Sequence, residues 1–349
     1  MSDLKLEKLI ISSAAVPVAT EGDDHEDADV LADAAGFELR QATVPVESHG
    51  QRLDLALVQI VPEFSRSYLQ QLIDSGAISH NGRTQSKSST KVKAGDYLSI
   101  ELKPTPQSQA FRPEPMALDV VYEDSHIMVI NKPAGLVVHP APGNWSGTLL
   151  NGLLARDALA ASLPRAGIVH RLDKDTSGLM VVARTRQVMD QLVQMIAARS
   201  VNRQYIALAH KTWQGARMRQ VDFSVGRDVK NRLRMAVVDL AKNPGKTACT
   251  TITLLENGVG HCLVRCKLHT GRTHQIRVHM AAIGHPLVAD ELYGGTPVGG
   301  LHRQALHACE LAFEHPVTGE SLRFKSLVSD DIQAAMVQIG LSYNQRIGF

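Results

Sequence analysis

Residues 168 to 182 read Ile-Val-His-Arg-Leu-Asp-Lys-Asp-Thr-Ser-Gly-Leu-Met-Val-Val. Ile168 and Val169 end one apolar run, and Gly178 to Ala183 open another that reads as a buried strand. Between them stand His170, Arg171, Asp173, Lys174, Asp175, Thr176 and Ser177. A loop this rich in charge, pinned at both ends by core segments, is where a rigid scaffold presents reactive groups. An arbitrary charged loop is more often a solvated connection between strands. The rest of the chain has to decide.

With 349 residues, the chain has room for about two domains. No stretch approaches the roughly 18 apolar residues of a membrane span. Leu9 to Ala19 is mostly apolar, but Ser12, Ser13 and Pro17 interrupt it, and a cleaved signal peptide is not the expectation. The net charge of +2 hides an asymmetry: residues 1 to 44 carry ten acidic and three basic side chains, and the remainder 34 basic against 25 acidic. A basic body behind an acidic tail suits a polyanionic partner. The tail, with Glu21 to Asp29 acidic and free of aromatic residues, cannot bury enough surface to order itself. Cys249, Cys262, Cys266 and Cys309 form no CxxC pair. On one strand Cys262 and Cys266 would stand roughly 13 Å apart, too far for a disulfide or one tetrahedral metal. Free thiols in a reducing cytoplasm are expected.

Residues 45 to 103 pattern as a small α/β unit. Leu53, Ala56, Leu57 and Ile60 share one helical face. Ser65 is positioned to cap a second helix, in which Leu69, Leu72 and Ile73 repeat the pattern up to Gly76. Ala77 to His80 reads as a strand before an Asn81-Gly82 turn, and Tyr97 to Leu102 as another after Gly95-Asp96. Pro104, Pro106, Pro113 and Pro115 then mark 104 to 117 as an extended linker.

From residue 118 to 349 strands dominate. Val120 to Tyr122 and Ile127 to Ile130 are strands, and Thr148 to Leu159 and Gln187 to Arg199 are helices, the latter with Val188, Leu192, Met195 and Ile196 inward. A strand follows through Arg203-Gln-Tyr205. Thr250 to Leu255 and Cys262 to Leu268 alternate as sheet strands. Thr273 is placed to cap a helix that ends at Gly284. His269, His274 and His279 recur every five residues, a spacing that a helix cannot converge on one metal. Gly245-Lys246-Thr247 is no nucleotide loop, because the required earlier glycine is Leu240.

His170-Arg-Leu-Asp-x-x-Thr-Ser-Gly-Leu179 resembles the signature of the RluA-type pseudouridine synthases, which isomerise uridine in RNA. Asn131-Lys-Pro-x-Gly135 and Thr270-Gly-Arg-x-His-Gln-Ile-Arg-x-His279 match two further motifs of that family, in the same order. Arg52-Leu-Asp54, Ser65-Arg-Ser67, Asn81-Gly82 and Gly95-Asp96 resemble an S4 RNA-binding module. The resemblance covers about residues 45 to 330. It departs at Lys325 to Asp330, which lacks the prolines usual there and leaves the C-terminal packing open.

The resemblance implies an α+β fold: a mixed or antiparallel-sheet catalytic domain behind a small S4 domain. It implies that Asp173 is the catalytic carboxylate and Arg277 its partner. Tyr205 would stack on the uracil, and Arg171 would fill the space left by a flipped base. A lone strand Tyr is otherwise usually a core residue. Arg66, Arg83, Lys87 and Lys91 would meet phosphates through the S4 module. Arg232, Arg272 and His274 are further expected RNA contacts, as is Lys132, although packing of Pro133 and Gly135 beside the active-site loop is the better reason for that motif. Pseudouridylation is redox-neutral, so neither cofactor nor metal is expected. The wording of residues 120 to 124 and 164 to 170 points to the members that modify the helix 69 stem-loop of 23S ribosomal RNA. A cytoplasmic monomer acting on that RNA or on a large-subunit precursor is the expectation. The alternatives are the same chemistry on another ribosomal or transfer RNA site, or a non-catalytic ribosome-assembly factor. A hydrolase built on His170, Asp173 and Ser177 lacks the Gly-x-Ser-x-Gly elbow.

Overall fold

The computed structural model describes residues 38–102, 110–141, 143–231 and 233–341. It divides into two compact units, Met1–Thr105 and Pro106–Phe349. The acidic run, the apolar stretch before it and Arg232 lie outside the described residues.

In the first unit, strands β1 (Glu38–Thr43), β2 (Ile78–His80), β3 (Arg83–Gln85) and β4 (Tyr97–Leu102) form an antiparallel sheet in the order β1-β4-β2-β3. Helices α1 (Leu53–Ile60) and α2 (Arg66–Asp74) cover it, burying Leu53, Leu57, Leu69 and Ile73 against Ile78, Leu98 and Ile100. Ser65 caps α2 by accepting the Tyr68 N–H, as its spacing predicts. Asn81 and Gly82 both take positive φ, 50° and 78°, the geometry of a type I′ hairpin. The Asp96 carboxylate closes that hairpin, accepting from Asn81 Nδ2 and from the Lys93 N–H. The boundary of the acidic tail needs correcting. Composition extends it to residue 44, but Glu38 to Thr43 pair along β4. A sheet edge with open backbone groups can order a polar segment that has no apolar face of its own.

The second unit is built on one large sheet. Its strands are β5 (Val120–Glu123), β6 (Ile127–Lys132), β7 (Ser177–Ala183), β8 (Asn202–His210), β9 (Met218–Val221), β13 (Thr250–Gly258), β14 (His261–Leu268), β15 (Leu306–Glu314) and β16 (Ser321–Lys325). The order is β5-β6-β7-β15-β8-β14-β13-β9, with β16 paired to β15. All neighbours are antiparallel except β7 and β15, which meet in parallel at Ser177↔His307 and Gly178↔Ala308. A side chain at Gly178 would place its Cβ 2.3 Å from the Ala308 carbonyl oxygen, so only glycine permits that junction. A small sheet, β10 (Val225–Arg227), β11 (Met235–Val237) and β12 (Gly245–Lys246), lies within residues 214 to 246, a segment rich in arginine and lysine.

Both faces of the large sheet are buried. Met180, Val182, Tyr205 and Ala207 share one core with α3 (Leu149–Arg156) and α5 (Gln275–Ala282). Leu179 and Val181, pointing the other way, pack under α4 (Arg186–Ala197). Ile206 and Leu208 pack under α6 (Asp330–Gln338), which uses Ile332, Ala335 and Met336. The C-terminal segment is therefore docked without the prolines. The stretch expected to be a linker is also docked over its second half: Asn151 Nδ2 donates to the carbonyls of Ala110 and Arg112.

Helix α5 starts differently from its sequence reading. Its N-cap is His274 rather than Thr273; His274 sits in the left-handed region at φ 55° and gives no side-chain cap. The buried Gln275 side chain does the closing, accepting from the Arg272 N–H and Thr270 Oγ1 and donating to the Cys249 carbonyl. Gly284 ends the helix as predicted, with φ 87° and the paired bonds Gly284→Ala281 and His285→Met280 of a Schellman turn.

Candidate active site

The polar loop enters from a backbone bent by three successive left-handed residues, Arg165, Ala166 and Gly167. Gly167 lies so close to β7 that a Cβ would meet the Ala183 carbonyl oxygen at 2.0 Å. Beyond it, side chains fix the loop's shape. His170 Nε2 accepts the Val181 N–H at 3.0 Å, and burial, followed by the nearby Arg203 charge, pushes its imidazole down to about 3. Ser177 Oγ bonds His307 Nδ1 at 2.9 Å, and Thr176 Oγ1 accepts from Gln304 Nε2. None of these groups is available to a Ser-His-Asp triad. They hold the loop rather than react.

Lys132 requires a correction. The resemblance makes it an RNA contact, yet it is 1% exposed, and its ammonium donates to the carbonyls of Pro133, Leu136 and Lys174 at 2.8, 2.8 and 2.9 Å. Burial pushes it down to about 8, against the pull of Asp175 and Asp173. Three carbonyl oxygens occupy all three of its protons, which leaves none for RNA.

The loop delivers Asp173 to a cavity of about 870 Å³. Arg277 arrives from α5, 104 residues later, and its Nη1 donates to Asp173 Oδ2 at 3.2 Å. Two residues without an expected role hold Arg277. Asp290, buried, takes it in a two-pronged bond, Nε to Oδ2 and Nη2 to Oδ1, both 2.8 Å. The ring of Tyr293 lies 5.0 Å from its guanidinium carbon. Burial alone would lower the Arg277 pKa, but the bonds from Asp290 and Asp173 raise it. Only one corner of Arg277 is left for Asp173. Asp173 Oδ1 accepts no hydrogen bond among the described residues, and the residue lines the cavity.

Tyr205, on β8, lines the same cavity and is 5% exposed. Its hydroxyl has no hydrogen-bond partner among the described residues, and burial pushes it up to about 12. Arg171 is exposed at the cavity and Arg272 is half-buried there, with Nε on the Thr247 carbonyl. His274 Nδ1 bonds the Tyr293 hydroxyl at 2.8 Å, and its Nε2 stands 3.9 Å from Asp173. His269 and His279 bond Thr251 and Thr250 respectively, so the three histidines have separate partners. Among the described residues no group of three His, Cys, Asp or Glu could hold a metal, and no helix is long and apolar enough to cross a membrane.

In the first unit, Arg83, Lys87 and Lys91 are exposed and lack side-chain partners among the described residues. Arg66 differs: its Nε and Nη2 bond Asp54 at 3.1 and 2.8 Å, which leaves it half free for phosphate. Asp290-Glu-Leu-Tyr-Gly294 continues the family's pattern in the sequence, but that pattern gives Asp290 and Tyr293 no role. Only tertiary contact joins them to Arg277.

Known proteins resemble this chain in sequence and in fold. Residues 126–282 match the family model of RNA pseudouridylate synthase, and residues 51–97 match the S4 domain. The chain is 46% identical over 326 residues to the ribosomal large subunit pseudouridine synthase D of Neisseria meningitidis serogroup B, covering 89% of this chain and 85% of that one. It is 43% identical over 307 residues to the protein of the same name from Vibrio parahaemolyticus, covering 84% and 92%. The structure of human RNA pseudouridylate synthase domain containing 4 superposes with a TM-score of 0.52 at 23% identity, over 64% of this chain and 94% of that one, and shares its fold. The chain belongs to the RluA-type RNA pseudouridine synthases that carry an S4 domain, enzymes that isomerise uridine in RNA.

Proposed function

We propose that the enzyme modifies uridines of 23S ribosomal RNA in the large subunit or its precursor, in the helix 69 stem-loop, and that Asp173 performs the chemistry. The relatives named for the large subunit support the substrate. The single observation behind the chemistry is the carboxylate geometry. Asp173 meets the cavity with one oxygen held by Arg277 and the other open.

The reaction breaks N1–C1′, turns the uracil, joins C5 to C1′ and releases the C5 proton. Asp173 can attack C1′ or take a proton from the sugar, and both routes need a carboxylate oxygen aimed at the ribose. Arg277 orients it. The target base has to leave its stack to reach a group this deep, and the exposed Arg171 is placed to fill the gap. Tyr205 supplies a face for the uracil. As a phenol held near 12 it is protonated at neutral pH, so it can move the C5 proton only as a relay that hands on its own. A ribosomal substrate supports a cytoplasmic site of action.

The test is to incubate purified protein with a 23S transcript and with large-subunit precursor particles, then map pseudouridine along the RNA. Conversion within helix 69 is expected. Conversion confined to another site would overturn the target, and no conversion on either substrate would favour an assembly factor.

A further inference from the structure

One buried cation in the site has no task in this reading. Arg203 stands on β8 two residues before Tyr205, so the two side chains leave the strand on the same face. It is 6% exposed and lines the same cavity. Among the described residues its guanidinium makes no hydrogen bond and no ion pair, and its Nε is buried without a partner. The backbone makes room for it: a Cβ on Gly271 would lie 2.9 Å from Arg203 Nη1. Its charge reaches the site, lowering His170 after burial has done so and opposing the burial that raises Tyr205. Arginine cannot shed its proton, and an uncompensated buried charge is costly to keep. Arg277, in the same cavity, has two carboxylates. Arg203 has none, which leaves the substrate to bring the anion.

We propose that Arg203 is a catalytic residue that binds the charged carbonyl oxygen of uracil once its bond to the sugar has broken. The inference rests on the reading of Asp173 as the group working at C1′. When N1–C1′ breaks, the electron pair stays with the base and its charge spreads from N1 onto O2 and O4. C1′ meanwhile bonds an Asp173 oxygen, or the sugar gives its C2′ proton to that oxygen. The base turns and C5 bonds C1′ as the Asp173 oxygen leaves C1′ or returns the C2′ proton, which makes the ring neutral; the C5 proton is then lost and N1 gains one. The anion exists only between these events. A cation that meets it there lowers the barrier without tightening the binding of neutral uridine. Depth favours the base over a phosphate. The RNA backbone stays at the mouth, where Arg171 is exposed, whereas Arg203 lies beside Tyr205 on the floor.

The experiment compares the full-length protein with Arg203→Met, Arg203→Lys and Asp173→Asn on a 23S transcript that the wild type modifies. Affinity, the single-turnover rate at saturating RNA and the melting temperature are read for each. Arg203→Met should lose roughly 100-fold or more in rate, the scale for losing one preorganised donor. Its affinity should stay within about twofold and its melting temperature should hold or rise, because an unpaired buried charge has gone. Arg203→Lys should recover part of the rate. A wild-type rate in Arg203→Met overturns the proposal. So does weaker binding at an unchanged rate, which would mark a phosphate contact. A slow Met variant that also melts lower is judged by Arg203→Gln, which must show the rate loss with normal melting or the proposal fails. Turnover by Asp173→Asn would overturn the underlying reading instead, whatever Arg203 does.

Discussion

The tripeptide Arg-Leu-Asp occurs at residues 52–54 and again at 171–173, and the two copies end in opposite states. In both, the leucine is buried in the core of its unit. In the first, Arg52 turns back on Asp54 at 2.9 Å, and Arg66 and Gln70 from α2 bond the same carboxylate, each at 2.8 Å. Asp54 is fully buried. Desolvation alone would raise it, but these bonds hold it well below the usual carboxylate range. In the second, Arg171 points to the cavity without a partner, and Asp173 receives a single bond, from an arginine that Asp290 already grips. Its side chain keeps 15% exposure. A saturated carboxylate joins two helices; an unsaturated one at a cavity is left free to react.

The largest expected difference comes from removing each charge. Asp173→Asn should abolish pseudouridine formation while leaving RNA affinity and melting unchanged. Asp54→Asn should do the reverse, costing about 1–3 kcal/mol of stability as Arg52 and Arg66 lose their acceptor, with the catalytic rate retained. Measurable turnover by a folded Asp173→Asn protein would sink the contrast. Next in size is Asp290→Asn. It leaves Arg277 loosely held, and displacement of a positioning group by about 1 Å can cost about 100-fold. A single-turnover rate within twofold of wild type would show that Asp173 needs no such frame.

Acid should separate the two units. His170 and His307 are held neutral, pushed down to about 3 and about 4, in each case first by burial. Unfolded histidine titrates near 6.5, so below that pH the unfolded chain binds protons that the folded one refuses. Their cost is absent above about pH 6.5 and grows as pH falls, reaching about 2 kcal/mol each at pH 5. The first unit depends on lowered carboxylates, Asp54 and Asp96, the latter held at about 2 chiefly by the Asn81 bond. Such groups contribute fully above about 3.8 and lose that contribution only as pH falls through their folded values. Hydrogen exchange at pH 7 and pH 5 should therefore show the second unit loosening first; equal loosening would break the distinction. The smallest effect belongs to the exposed cations. Arg83→Ala and Lys91→Ala should each reduce the slope of log affinity against log salt by about 0.7–0.9, with no change in the rate at saturation.

Short-range patterns in the chain carry much of this architecture. The S4 unit's helices, its Asn81-Gly82 hairpin and the α4 face are legible in the sequence, because caps, turns and amphipathic periods are local. Local preference fails where a distant partner overrides it. Thr273 loses the cap of α5 because Gln275 reaches across to Cys249 and closes the turn itself. Glu38 to Thr43 form a strand because β4 offers an edge. Lys132 reads as a cation for RNA, and only the fold shows three carbonyls converging on it.

The sequence by itself determined the family and singled out Asp173, Tyr205 and Arg277 as expected site residues, since motifs are strings and survive without coordinates. Tertiary structure alone decided which charges are satisfied. Whether a carboxylate is saturated, as Asp54 is, or a guanidinium unmatched, as Arg203 is, depends on side chains brought together from far apart in the chain. Hydrogen bonds form only at about 3 Å, a proximity that sequence order does not encode.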